Sequence, residues 1–250
     1  MRFFLRLSYN GAPYHGWQSQ PNATSVQQTL EDALSLLLRR DVGITGAGRT
    51  DTGVNARTMY AHLDLDAPPA DARRFLLSLN RIIGRDIAVE AIIPVADDAH
   101  ARFDATARTY KYFVSEKKNP FLYYMSWQQT APLDYGLMNR AAEILLQTDD
   151  FTSFAKLHSD VKTNICRVSE AHWSKAMPGV TAFTITANRF LRNMVRAVVG
   201  TLVDVGRGKL DIDGFRDIIL AKDRCSAGTS MPPQALFLWD VKYPYPLMPL

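Results

Sequence analysis

Two spacings of apolar residues alternate along the first hundred positions. Arg2–Tyr9 alternates apolar and polar side chains and ends at an Asn-Gly turn pair, which is typical of a strand. Apolar residues from Val26 to Leu38 recur at helical spacing behind the capping-box pattern Ser25-Val-Gln-Gln28. The pattern further predicts strands at 42–47, 58–64 and 87–95 and a helix at 68–83. This β-α-β-β-α-β order is that of a ferredoxin-like split βαβ unit.

The second half of the chain repeats this series with one additional helix. The pattern predicts strands at 109–115, 166–175, 181–187 and 236–243, and helices at 134–146, 190–205 and 213–221. We therefore predict an α+β fold with two halves. The N-terminal half, 1–105, carries a glycine-rich loop, and the C-terminal half, 106–250, completes a cleft.

Composition excludes several classes of protein. Of 250 residues, 47% are hydrophobic and 22% charged, as in ordinary globular proteins and unlike a mainly disordered chain. Two cysteines, Cys166 and Cys225, cannot build a disulfide framework or a cysteine-based zinc site, which favours a reducing cytosol. Arg2 and Arg6 interrupt the apolar start, and no apolar run approaches the roughly 18 residues of a membrane span. We expect a cytoplasmic protein with no membrane contact.

Charge is distributed unevenly. The net charge is +4, but residues 1–105 hold 11 basic and 12 acidic side chains, whereas residues 106–250 hold 18 and 13. This balance permits an anionic partner without requiring one.

The segment Gly46-Ala-Gly-Arg-Thr-Asp-Thr-Gly53, the glycine-rich loop, concentrates the unusual residues. It is not a P-loop, because Val54 and Asn55 stand where Lys and Ser or Thr are required. It is not a dinucleotide fingerprint, since Asp51 occupies the position of the third glycine and a strand follows. A turn held by local hydrogen bonds is the commoner use of such residues. The alternative is that the loop carries a catalytic carboxylate, because Arg49 and Asp51 stand two residues apart within it.

Several motifs together resemble the TruA-type pseudouridine synthases, the tRNA uridine isomerases of the anticodon arm. The resemblance spans nearly the whole chain: GRTDTGV in the glycine-rich loop, and YHGWQSQP (14–21), SVQQTLEDAL (25–34), ARFDATARTYKY (101–112), DFTSF (150–154), NRFLRNMVRAVVGTLVDVG (188–206) and AKDR…LFLWDVKYP (221–244). Two positions depart from the family pattern. Asn55 stands where histidine is frequent, and Ala235 stands where glycine is usual.

The resemblance implies two α+β halves sharing a mainly antiparallel sheet, and conversion of uridine to pseudouridine at tRNA positions 38, 39 and 40. It implies tRNA as partner, a homodimer, and no cofactor or metal. It makes Asp51 the catalytic carboxylate and assigns Tyr110, Arg196 and Leu236 to the uracil pocket. Arg49, by its place in the glycine-rich loop, and Arg192, by its spacing on the predicted long helix, complete the predicted substrate-binding residues.

The chemistry explains the need for a carboxylate. Breaking the C1′–N1 bond leaves the sugar electron-deficient, and Asp51 can form an ester with it, stabilise it, or act as a base. In a water-poor pocket desolvation disfavours the charged form, and the resemblance assigns Arg196 as the guanidinium that opposes this. Tyr110 would stack on the uracil and act at C5, although by pattern alone it is an ordinary strand residue. Leu236 would be a pocket wall or ordinary core.

The remaining basic residues have two interpretations each. Arg49 either faces RNA backbone or braces its own loop. Arg189, Arg192 and Arg196 are spaced as a stripe on the predicted long helix, which suits phosphate contacts or a solvated face. Trp17 and the adjacent Gln18 could serve RNA or the core.

A non-catalytic RNA-binding protein of related fold is the main alternative. Its strand signature is absent, since ARTYKYFV (107–114) lacks the required glycine. The failed nucleotide-loop patterns count against a small-molecule nucleotide enzyme. The five histidines are scattered, so no metal cluster is predicted.

Overall fold

The computed structural model describes residues 1–156 and 162–250. The chain forms two compact units. The first contains Met1–Thr106 and Leu238–Leu250, and the second contains Ala107–Phe237. The C-terminal segment, which the sequence pattern groups with the second half, therefore packs with the first unit.

The first unit contains the predicted β-α-β-β-α-β series. Its elements are β1 (Arg2–Tyr9), α1 (Val26–Leu38), β2 (Thr45–Gly46), β3 (Asn55–Asp64), α2 (Ala72–Ile82) and β4 (Ile87–Pro94). β1 pairs antiparallel with β3 and β4, and β2 pairs with β3. The order β4-β1-β3-β2 is that of a ferredoxin-like unit, as the pattern predicts.

Local signals explain the first strand and helix. Phe3, Leu5 and Leu7 on β1 and Leu30 on α1 are fully buried, so the apolar positions form the core of this unit. The Ser25 side chain accepts a hydrogen bond from the Gln28 amide, at 3.2 Å, and caps α1. In a full capping box the Gln28 side chain would also bind the Ser25 backbone N–H, but it makes other contacts here. That side chain accepts from Ser19 at 2.7 Å and donates to Asp32 at 2.8 Å.

Two predicted elements are shorter than expected. The strand predicted at 42–47 consists of Thr45–Gly46 alone, because the backbone N–H groups of Val42 and Ile44 bind side chains of α1. Val42 donates to Ser35 Oγ at 3.0 Å, and Ile44 donates to Glu31 Oε1 at 2.9 Å. The helix predicted from residue 68 begins at Ala72, behind the Asp71 cap.

The second unit has its own mainly antiparallel strands. Its elements are β5 (Ala107–Ser115), β6 (Trp127–Gln128), α3 (Tyr135–Ile144), β7 (Val168–Met177), β8 (Val180–Ala187), α4 (Met194–Gly206) and α5 (Ile212–Ala221). β8 lies antiparallel between β5 and β7, and β6 pairs parallel with β5. β9 (Leu236–Lys242) begins in this unit. The α+β class with mainly antiparallel strands is confirmed.

The long helix predicted from residue 190 begins four residues later, at Met194. Asn193 adopts a left-handed conformation with φ 66°, so the right-handed helix cannot extend back through this residue. Its side-chain amide donates to Ser230 Oγ at 2.6 Å, and this bond holds the turn. The predicted basic stripe on one helix is therefore wrong. Arg189 and Arg192 precede α4, and only Arg196 lies on it.

Candidate active site

The glycine-rich loop connects β2 to β3 and holds Asp51 between anchored neighbours. Thr50 is buried; its carbonyl accepts from the Trp17 N–H at 3.2 Å, and its hydroxyl lies 2.8 Å from the Tyr9 hydroxyl. On the other side, Val54 N–H donates to the Asp51 carbonyl at 3.1 Å. The Asp51 side chain is half-buried. The backbone that carries this carboxylate is therefore fixed on both sides.

The segment 14–21 packs against this loop through close backbone approach. A β-carbon on Gly16 would collide with the Thr50 carbonyl oxygen, and one on Gly46 would collide with the Trp17 ring. Trp17 is 1% exposed, so its role is in the core. Gln18 is exposed and donates to Gln27 Oε1 at 2.6 Å.

Both departures from the family pattern are accommodated locally. Asn55 is buried, and its side-chain oxygen accepts from the Gly11 N–H at 2.8 Å, which ties the start of β3 to the turn after β1. Ala235 is fully buried at the end of the 3-10 turn Pro233–Ala235, where the backbone does not require glycine.

A cavity of about 140 Å³ adjoins the loop in the first unit. Its lining combines apolar, polar and basic residues: Trp17, Gln18, Gln27, Ile44, Thr45, Gly46, Gly48, Arg49 and Arg102. Arg49 and Arg102 are exposed, so two guanidinium groups border this cavity. The border of this cavity, next to the loop that carries Asp51, is therefore positively charged.

In the second unit, Tyr110 and Tyr112 follow each other on β5 in different environments. Tyr110 is half-buried, and its ring makes an edge contact with Phe190 at 5.0 Å. Tyr112 is fully buried, and its hydroxyl makes no hydrogen bond within residues 1–156 and 162–250. Burial raises the pKa of Tyr112, while the positive charge of Arg196 acts in the opposite direction. Tyr110, not Tyr112, is the tyrosine within reach of a ligand.

Arg196 on α4 is oriented by the chain that precedes β9. Its Nε donates to the Met231 carbonyl, and the Met231 N–H donates back to the Arg196 carbonyl at 3.1 Å. Arg192 is exposed in the turn before α4, and its carbonyl accepts from the Lys156 N–H at 3.1 Å. Leu236 is 5% exposed at the first position of β9.

The six predicted site residues thus fall in both units. Arg49 and Asp51 share the glycine-rich loop of the first unit, and the second unit holds the other four: Tyr110, Arg192, Arg196 and Leu236. Their grouping around one uridine remains a prediction. Sequence reasoning did not single out Arg102, which lines the cavity, or the exposed Phe103 next to it, although both belong to the ARFDATARTYKY motif.

Neither a metal cluster nor a membrane span is present in the described part of the chain. Across residues 1–156 and 162–250, no three side chains of His, Cys, Asp or Glu are placed to hold a metal ion. His158 lies outside the described residues. Within the same ranges, no helix combines the length and the apolar character needed to cross a membrane.

Comparison with known proteins agrees with this architecture. Residues 141–244 match the family model described as tRNA pseudouridine synthase. The tRNA pseudouridine synthase A of Parabacteroides distasonis is 54% identical over 249 residues, covering 100% of this chain and 98% of the relative. The enzyme of the same name from Bacteroides thetaiotaomicron is 55% identical, covering 97% of this chain and 91% of the relative. That from Colwellia psychrerythraea is 37% identical, covering 98% of this chain and 94% of the relative. The chain therefore belongs to the tRNA pseudouridine synthase A family, whose members are isomerases.

Proposed function

We propose that this protein converts uridine to pseudouridine in the anticodon stem-loop of tRNA, at positions 38, 39 and 40, with Asp51 as the catalytic carboxylate. Family membership supports tRNA pseudouridylation. The anchoring of the Asp51 backbone by Thr50 and Val54 is the observation that carries the residue assignment. A catalytic group must be held in position before the substrate arrives, and this loop meets that requirement.

The reaction conserves atoms and electrons. The C1′–N1 bond breaks, and its electron pair leaves with N1 of the uracil. The electron-deficient C1′ is stabilised by the Asp51 carboxylate, either as an ion pair or as an ester through one carboxylate oxygen. After the uracil turns over, C5 bonds to C1′ and the carboxylate regains its electron pair if an ester was formed. C5 then loses its proton and N1 gains one, so the reaction consumes no oxidant and no co-substrate.

Arg196 and Tyr110 serve the same reacting centre in this proposal. Arg196 pairs with Asp51 and keeps the carboxylate ionised in a pocket from which water is displaced. Its Nε contact with Met231 orients the planar guanidinium. Tyr110 stacks on the uracil and presents its hydroxyl near C5, with Phe190 supporting the ring edge. Leu236 supplies an apolar wall.

Arg49 and Arg192 contact the RNA backbone. Both are exposed, and neutralisation of phosphates dominates protein–RNA affinity. A stem uridine is stacked and paired, so it must be flipped out before its C1′ and C5 become accessible. Backbone contacts outside the pocket offset the cost of flipping.

We also propose that the enzyme is a cytoplasmic homodimer in which the tRNA crosses both subunits. The resemblance of the motifs to the TruA type supports the dimer, and a tRNA substrate supports the compartment. Sedimentation of the purified protein with and without tRNA tests the stoichiometry.

The decisive experiment incubates purified protein with transcript tRNA in the absence of any added cofactor or nucleotide. Pseudouridine mapped to positions 38, 39 and 40 is the expected result. Pseudouridine elsewhere contradicts the proposed positions. Binding of tRNA without any isomerisation favours the non-catalytic RNA-binding protein.

A further inference from the structure

Phe103 is a large apolar side chain that the fold leaves in solvent. It is 74% exposed, whereas Phe3, Phe4 and Phe183 are fully buried. Leaving a phenyl ring in water forgoes the free energy that burial provides. An exposed apolar side chain indicates an interaction site when its backbone is held rigidly, because its exposure is then a property of the fold.

The turn that carries Phe103 is closed by its own side chains. His100 Nδ1 accepts from the backbone N–H groups of Arg102 at 3.1 Å and Phe103 at 3.3 Å. Asp104 Oδ2 accepts from the His100 N–H at 2.7 Å, and the Asp104 N–H donates to the His100 carbonyl at 3.0 Å. These four bonds fix the backbone that carries Phe103.

The same turn is attached to the rest of the first unit at Ala101. Its N–H donates to His62 Nδ1 on β3 at 3.1 Å, and its carbonyl accepts from the Tyr243 hydroxyl at 2.6 Å. The Tyr245 hydroxyl donates to Asp104 Oδ2 at 2.8 Å. The turn that carries the exposed ring is therefore hydrogen-bonded to β3 and to the C-terminal segment of the first unit.

A cationic group and an aromatic ring lie next to the Phe103 ring. The Arg102 guanidinium carbon lies 5.6 Å from the centre of the Phe103 ring, and the His100 ring lies 4.3 Å from it on a tilted plane. Arg102 also lines the cavity that Gly48 and Arg49 of the glycine-rich loop border. Arg102 thus lies both beside the Phe103 ring and at the cavity that the loop of Asp51 borders.

We propose that the tRNA stacks an unpaired base, next to the target uridine, on a surface formed by His100, Arg102 and Phe103, which we call the Phe103 platform. Arg49, which borders the same cavity as Arg102, contacts the phosphate of that unpaired nucleotide. Aromatic and guanidinium planes bind unpaired bases by stacking, and the two arginines match the charge of the RNA backbone. The acidic member of the turn, Asp104, already accepts two hydrogen bonds. This inference rests on the proposed function, because it takes tRNA as the ligand.

The test uses full-length protein and anticodon stem-loops that carry 2-aminopurine at one unpaired position at a time. In the wild-type protein, fluorescence changes on binding at one loop position. Phe103→Ala removes that change and weakens RNA binding about 5- to 150-fold, the range for loss of one stacked base. Phe103→Trp restores both signals, and Phe103→Leu, which keeps apolar volume without a π face, does not.

Leu77→Ala is the matched control, since Leu77 is an apolar residue of the same unit, 52% exposed on α2. It retains wild-type affinity and fluorescence. The proposal is overturned if Phe103→Ala binds within about twofold of wild type with the same fluorescence, or if it changes the oligomeric state in sedimentation while affinity stays constant. The second result makes Phe103 a contact between copies. Failure of the proposed function is distinct, because wild-type protein then forms no pseudouridine.

Discussion

Gly16 lies against the carbonyl oxygen of Thr50 so closely that a β-carbon at Gly16 would collide with that oxygen. Gly16 also has a φ of +94°, a conformation that side chains rarely adopt. Thr50 directly precedes Asp51, so the contact between residues 16 and 50 sets the backbone position of the proposed catalytic carboxylate.

We expect Gly16→Ala to destabilise the protein by about 1–3 kcal/mol through backbone strain, and to lower the single-turnover rate by moving Asp51. Urea unfolding and pseudouridine formation measure the two effects. Gly48→Ala is the control in the glycine-rich loop, because a β-carbon there meets no atom within 4 Å. Its stability should stay within about 0.5 kcal/mol of wild type. Equal stability of both variants would contradict the close-approach argument.

Asp51→Asn should reduce isomerisation by at least about 10²–10⁴-fold while tRNA affinity stays within about twofold. The amide preserves size but cannot stabilise a cationic sugar or accept a proton. Single-turnover rates at saturating enzyme and tRNA dissociation constants separate the two quantities. Asp66→Asn controls for loss of charge, since Asp66 is 96% exposed and lies 4.0 Å from Arg40. Substantial residual activity in Asp51→Asn would refute the assignment.

Arg192→Ala and Arg196→Ala should affect different steps. Removing the exposed Arg192 should weaken tRNA binding and lower the slope of log affinity against log salt by about 1. Removing Arg196 should lower the chemical rate about 10²-fold or more with a smaller loss of affinity, because its proposed partner is Asp51. Dissociation constants over a salt series and single-turnover rates distinguish them. If both variants lose only affinity, with equal slopes, Arg196 contacts phosphate and the proposed pair with Asp51 is wrong.

Tyr110→Phe should keep substrate affinity, because the ring still stacks, and slow the proton transfer at C5. Accumulation of an early-step product or slower release of tritium from C5 is the measurement. Tyr112→Phe is the matched variant two residues along β5. Because its hydroxyl is buried without a hydrogen bond in the described residues, its loss should leave stability unchanged or raise it by up to about 1 kcal/mol. Unchanged kinetics in Tyr110→Phe would assign Tyr110 to packing.

Stability should decrease as the pH falls from about 6.5 to 4, because of His62. Burial, followed by the charges of Arg2 and His100, lowers the pKa of His62 to about 4, while Asp64 and Asp104 oppose this. Above pH 6.5 the imidazole is neutral in folded and unfolded chains. Below it the unfolded chain binds a proton that the folded chain excludes, which costs about 3 kcal/mol by pH 4.

Urea unfolding at several pH values between 7.5 and 4.5 measures this loss. His62→Asn keeps an acceptor for the Ala101 N–H, which His62 Nδ1 binds at 3.1 Å, but does not titrate. Its stability should be flatter across the same window. An equal slope in the variant would exclude His62 as the cause.

The sequence by itself determined the elements that short-range signals control. β1 and α1 have the bounds that the alternation at Arg2–Tyr9 and the helical spacing of Val26–Leu38 predict. Both depend on side chains within a few positions of each other, with Ser25 as the local cap. The motif GRTDTGV likewise indicated the family, and the catalytic role of Asp51 is a prediction from that resemblance.

Tertiary structure alone decided features that depend on distant partners. The start of α4 depends on the bond of Asn193 to Ser230, 37 residues away, and this bond separates Arg192 from the helix of Arg196. Trp17 is core because Gly46 leaves space for its ring. Phe103 is exposed because Tyr243 and Tyr245 hold its turn from the other end of the chain. Periodicity describes neighbours along the chain, and these contacts join segments whose proximity exists only after folding.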